Sequence, residues 1–153
     1  MRKLLLFTCS LFFSVWIFGQ KEDFHWILGY GGVVPQEEFG GVDVTFFDNE
    51  PLVEEVDREM WMGFTNTSLC APGGQLLMYS NGQWIAGADH EALPNGFGLN
   101  PGLLATDHWP DYPVPQGALF LPMPGDTRTY SLFHLRGEFG SYSSAFFHTL
   151  IQR

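Results

Sequence analysis

The sequence predicts an all-β fold made of short antiparallel meanders. Three observations predict it. Gly (18) and Pro (10) punctuate the 153 residues throughout, and long helix-period segments are scarce. Short stretches alternate apolar and polar side chains, the period of a strand with one covered face. Between them stand turn sequences such as Ala71-Pro72-Gly73-Gly74, Ser80-Asn81-Gly82-Gln83 and Pro122-Met123-Pro124-Gly125-Asp126.

The first segment is set apart from that fold. Met1, Arg2 and Lys3 form a short positive region, and Leu4 to Phe18 carry no charge. That run is too short for the ~20 residues a membrane-spanning helix needs, and it fits the apolar region of a secretory signal peptide. Residues 1–19 are therefore expected to be removed after Gly19, leaving residues 20–153 as one β-rich domain, secreted or at the cell surface. An uncleaved anchor is the weaker alternative, because the flank after Gln20 is polar and acidic and no second apolar run occurs. A lipoprotein is rejected: Cys9 lies mid-run, after Phe7 and Thr8.

Without residues 1–19 the chain keeps 17 acidic residues against five bases, Lys21, Arg58, Arg128, Arg136 and Arg153. Such a surface repels nucleic acid and anionic membranes, whose phosphates need clustered Lys and Arg. No nucleic-acid partner is expected, and no membrane association after cleavage. Cys70 is the one remaining cysteine, so no disulfide can form within the chain. In its apolar setting it reads as a buried, inert thiol.

Phe24, Trp26 and Leu28 alternate, then the Gly29-Tyr30-Gly31-Gly32 turn, then Val42, Val44 and Phe46. Residues 50–58 are ambiguous. Leu52, Val53, Val56 and Met60 could form a helical face, whereas Met60, Met62 and Phe64 have strand period, so a strand is expected from about 59 to 69. Gln75 to Tyr79 is a short apolar strand. Asn81-Gly82 is the pair best suited to a type I′ hairpin, in which both residues take positive φ. Trp84 begins the return, and residues 59–87 read as a three-stranded meander. Residues 88–115 hold Pro94, Asn95-Gly96, Asn100-Pro101-Gly102, Pro110, Pro113 and Pro115, and read as a long packed loop, of a kind often functional. Gly117–Leu121 and Thr129–Leu135 form a second hairpin. Ala145–Ile151 starts another strand, with Phe146, Phe147, Leu150 and Ile151 on both faces.

Five segments together resemble a known family. They are Ser68-Leu69-Cys70 followed by Gly74-Gln75-Leu76-Leu77-Met78-Tyr79-Ser80-Asn81-Gly82; Gly98-Leu99-Asn100-Pro101-Gly102; Leu121-Pro122-Met123-Pro124-Gly125; Tyr130-Ser131-Leu132-Phe133-His134; and Phe146-Phe147-His148-Thr149-Leu150-Ile151. In order and spacing they are similar to the first blades of large secreted β-propeller proteins, often exported by the type IX route and ending in a sorting domain. The resemblance covers about residues 42–151. It implies a partial propeller of about two blades, an incomplete domain whose partners would include the missing downstream blades. One departure is that Ala71-Pro72 occupies a turn where the family places Asp. The family supplies no catalytic residue to carry over.

Local chemistry adds little. Asp89-His90-Glu91 and Asp107, His108 and Asp111 are metal-ligand types, but neighbours in an extended chain point to opposite faces, and a solvated loop is the better reading. His134 and His148 read as satisfied strand histidines. Glu54, Glu55, Asp57 and Glu59 could supply the carboxylate pair of a glycosidase, yet a charge run is usually a solvated face. No nucleophile-elbow, zincin, Walker or dinucleotide motif occurs. No catalytic, cofactor-binding or metal residue is therefore assigned. Trp84, Trp109 and Tyr112 are candidate rings for a glycan- or protein-binding surface, although core positions are the commoner fate of such rings, and Asn81 and Gly82 are structural turn residues. The function expected is non-enzymatic surface binding or adhesion. The alternatives are a fragment of an extracellular hydrolase and a truncated reading frame.

Overall fold

The computed structural model describes residues 21–29, 40–47 and 50–153. The expected signal peptide and most of the first glycine turn lie outside them. The described residues form an all-β fold of three antiparallel sheets. The first sheet is β1 (His25–Gly29), β2 (Gly41–Thr45) and β3 (Leu52–Val56). The second is β4 (Thr67–Cys70), β5 (Leu76–Ser80), β6 (Trp84–Gly87) and β7 (Ala92–Phe97). After a short helix, α1 (Leu103–Asp107), the third is β8 (Ala118–Pro122), β9 (Thr129–Glu138) and β10 (Ser141–Gln152). Every sheet is a meander in which sequence neighbours pair. β1 lies beside β4, and β4 beside β8, so the first strands of the three sheets stand side by side.

The middle sheet is covered on both faces, which follows from its sequence. In a strand successive side chains face opposite ways, and here both sets are apolar. Leu69, Met78 and Ile85 pack with Ala118, Phe120, Tyr130 and Leu132 of the third sheet. Tyr79, Trp84 and Ala86 pack with Ile27, Met60 and Met62 on the side of the first. Residues 78–87 are consequently buried without interruption. Truncating a side chain such as Met78, fully buried between sheets, costs about 2–5 kcal/mol.

Several expectations need correction. Residues 52–56, left ambiguous by the sequence, are a strand. Its exposed Glu54 and Glu55 suit an edge, where charge discourages pairing with another chain. The strand expected from 59 is regular only over Thr67–Cys70. Met60 and Met62 are buried, and Met62 reaches β1 through a single bridge to Gly29. The long loop contains a fourth strand of the middle sheet, β7. Pro94 and Asn95-Gly96 obscured it, and they are tolerated because β7 is the outermost strand and is bulged against β6. Three sheets are present where about two units were expected.

The outer sheets differ from the middle one. On the first sheet Trp26 pairs with Val44, which pairs with Val53, and this face is open, with Trp26, Leu28 and Val53 exposed. On the third, Leu119, Leu121, Phe146 and Leu150 are exposed on a common face. The opposite face of β10 packs inward, Ile151 against the core and the Phe147 ring stacked 5.4 Å from His134. β10 therefore does carry apolar groups on both faces at a sheet edge.

Candidate functional site

The segment 98–117 folds over the Asn81-Gly82 turn, and buried polar side chains of that turn hold it there. The connection between Ser80 and Ile85 is longer than a two-residue hairpin loop. Gly82 has φ +85°, whereas Asn81 is not among the left-handed residues, so the type I′ expectation is corrected. Side chains shape the turn instead. Ser80 Oγ accepts from the Gly82 amide (3.0 Å) and donates to the Trp84 carbonyl (2.6 Å), while Asn81 Oδ1 accepts from the Gln83 amide (3.0 Å). Asn81 is fully buried, and its Nδ2 donates to the carbonyls of Trp61 (3.1 Å) and Pro110 (2.7 Å). Gln83 Nε2 donates to those of Ala105 (3.0 Å) and Asp111 (2.6 Å). A loop crossing a buried turn must satisfy its carbonyls, and these two amides do so.

The same frame reaches the third sheet. Asn100, left-handed at φ +51°, donates from Nδ2 to the Gly82 carbonyl (2.9 Å). Its Oδ1 must then accept, so His134 donates from Nδ1 (2.8 Å). In the neutral ring Nε2 accepts, and Thr149 donates to it (3.0 Å). Burial, with His148 nearby, pulls His134 below the ordinary histidine range. Tyr112, fully buried, donates to the Leu135 carbonyl (3.2 Å) and accepts from the Gly137 amide (2.8 Å).

A charged counterpart braces the first sheet on the side that faces Tyr79 of the middle one. Arg58 and Asp43 are both buried and 3.2 Å apart, and His25 Nε2 is 2.8 Å from the other Asp43 oxygen. Arg58 Nη2 also donates to the Leu28 carbonyl. Gly41 leaves the space: a Cβ there would lie 2.6 Å from Arg58 Nη1. Burial lowers the Arg58 pKa from its ordinary value, and Asp43 acts against that.

Of the three candidate surface rings, Trp109 alone is exposed. Trp84 is buried under Phe97, with the rings stacked 5.1 Å apart, and Tyr112 belongs to the frame just described, so neither offers a ring face to a ligand. Phe97 and Trp109 continue that ladder outward, 6.5 Å apart. Asp89, His90 and Glu91 do not converge: Asp89 accepts from the Glu91 amide, while His90 Nδ1 meets the Tyr79 hydroxyl at 3.0 Å. Among the described residues no group of three or more His, Cys, Asp or Glu is placed to hold a metal ion. Cys70 is buried, which pushes its thiol pKa up and away from reactivity.

Beside α1 the surface opens into a cleft of about 370 Å³. Leu103, Leu104, Arg136, Glu138 and Phe139 line it, and Leu103 and Phe139 are exposed. Arg136 Nη2 donates to Glu138 Oε1 at 2.9 Å, and Arg136 Nε has no partner. Sequence reading missed these residues because Arg136, Glu138 and Phe139 each stand alone beside a glycine, and Leu103 and Leu104 lie in the stretch read as a packed loop. The hint available was Arg136 itself, one of five bases in an acidic domain.

No known protein family matches the chain, and neither a curated protein nor a solved structure shows significant similarity to it.

Proposed function

We infer that this chain is an exported, non-enzymatic binding protein whose sheets are blades of a β-propeller, serving attachment at the cell surface. One observation carries the architecture: three successive meanders bring their first strands β1, β4 and β8 side by side. In a propeller the first strand of each blade lines the central axis, and successive blades pack face to face. The middle sheet, apolar and covered on both faces, has the packing of an interior blade. The open apolar faces of the outer sheets are where further blades would pack.

Export is supported by the charged start and uncharged run of residues 1–18. N-terminal mass analysis of material outside the cell should show a chain starting within two residues of Gln20. Retained Met1 on that material would contradict export by cleavage. Binding is tested by fluorescently labelled protein on whole cells, set against a panel of chromogenic hydrolase substrates. Saturable cell binding without turnover is expected; turnover of any substrate would overturn the non-enzymatic reading.

A further inference from the structure

We propose that the cleft between α1 and the β9–β10 turn binds the vicinal hydroxyls of a neutral sugar. The idea rests on the binding reading above and names its ligand class. The cleft has about 370 Å³ of space, at the small end of ligand pockets and suited to one or two sugar rings.

Its polar groups come as one donor and one acceptor side by side. Arg136 is held to Glu138 through Nη2, leaving Nε–H with no hydrogen-bond partner. A buried donor without a partner is costly, and a ligand hydroxyl would satisfy it after a small outward turn of the side chain, which is 36% exposed. The Glu138 carboxylate has accepting capacity beyond its bond to Arg136. Two adjacent hydroxyls match this pair, one accepting from Nε–H and the other donating to Glu138. The walls suit the rest of a sugar. Phe139 is 60% exposed and offers a ring face to an apolar C–H surface, with Leu103 and Leu104 also in the lining.

An anionic ligand fits less well. Glu138 stands beside the guanidinium and would repel a second carboxylate, and the chain carries a net charge of −10. The Arg–Glu pair has no net charge, so a neutral ligand meets no such penalty.

Equilibrium dialysis of the exported protein with a panel of radiolabelled methyl glycosides tests the proposal, with hexanoate as the anionic control. Saturable binding of at least one glycoside is expected, unaffected by hexanoate. Arg136→Gln and Phe139→Ala should each weaken it at least tenfold, and Phe139, being exposed, can be truncated without loss of fold. Near-UV circular dichroism checks both variants. Absence of glycoside binding, displacement by hexanoate, or equal binding by folded Arg136→Gln would each overturn the proposal. The whole-cell assay separates the two readings. If glycosides fail while wild type and Arg136→Gln bind cells equally, the sugar site falls and the binding function stands. If neither glycosides nor cells are bound, both fall.

Discussion

The two flanks of the middle sheet bury polar groups of different chemistry. On the side of the first sheet, the buried polar group near Tyr79 is an ion pair at that sheet, Arg58 with Asp43, braced by His25. Toward the third, it is a neutral chain running from the Gly82 carbonyl through Asn100 and His134 to Thr149. A buried charge depends on its partner, because losing one leaves the other uncompensated away from water. Neutral amides and an imidazole spread the same demand over several weaker bonds. The charged flank should therefore fail sharply on a single substitution, and the neutral one should yield by degrees and respond to acid.

Asp43→Ala should cost the most stability. It leaves the buried Arg58 guanidinium without its counter-charge, and about 3–5 kcal/mol of stability should be lost. Urea melts at one fixed protein concentration measure it. A loss below about 1 kcal/mol, the range of surface pairs, would show that water reaches the pair.

Gly82→Val comes next and strikes the hub of the neutral interface. The residue stands at φ +85°, and a Cβ would lie 2.9 Å from Tyr112 Cδ1 and 3.0 Å from Thr65 Cγ2. Backbone strain and overpacking together should remove about 3 kcal/mol. An unchanged urea midpoint would remove Gly82 from that role.

A weaker effect, a dependence on pH, belongs to the neutral flank alone. Burial, then His148, depresses the His134 pKa in the folded chain. The unfolded chain binds this proton at pH ~6.5. The contribution of His134 is therefore complete above that value. It declines as pH falls below it, because the unfolded state then takes up more protons. His134→Gln keeps hydrogen-bonding groups and removes the titration. The stability difference between wild type and variant should shrink from pH 7.5 to pH 5.5. A constant difference would mean that His134 does not titrate differently in the two states.

How much of this was legible follows from where the information lay. The Gln75–Tyr79 strand, the Trp84 return and the β8–β9 hairpin were readable because short-range alternation and turn residues specify them locally. β7 was hidden because its Pro94 and Asn95-Gly96 carry loop signals that an outer strand tolerates. Asn81 and Gln83 read only as turn residues of Ser80-Asn81-Gly82-Gln83, and it is the fold of 98–117 over them that makes them interior. Arg58 stood as the lone base among Glu54, Glu55, Asp57 and Glu59, which was a hint. Its partner Asp43 sits in an alternating strand, and nothing local links the two. The exposed ring of the cleft was equally silent, since exposure at Phe139 depends on the turn between β9 and β10.

The middle sheet is covered on both faces while its two neighbours have open apolar faces, the arrangement on which the propeller proposal rests. Sedimentation velocity of residues 20–153 over a range of concentrations tests it most directly. Trp26, Leu28 and Val53 on one outer face, and Leu119, Leu121, Phe146 and Leu150 on the other, should drive self-association that grows with concentration. A monomer at every concentration, unfolding in one sharp urea transition, would contradict the account and point to a closed sandwich or barrel.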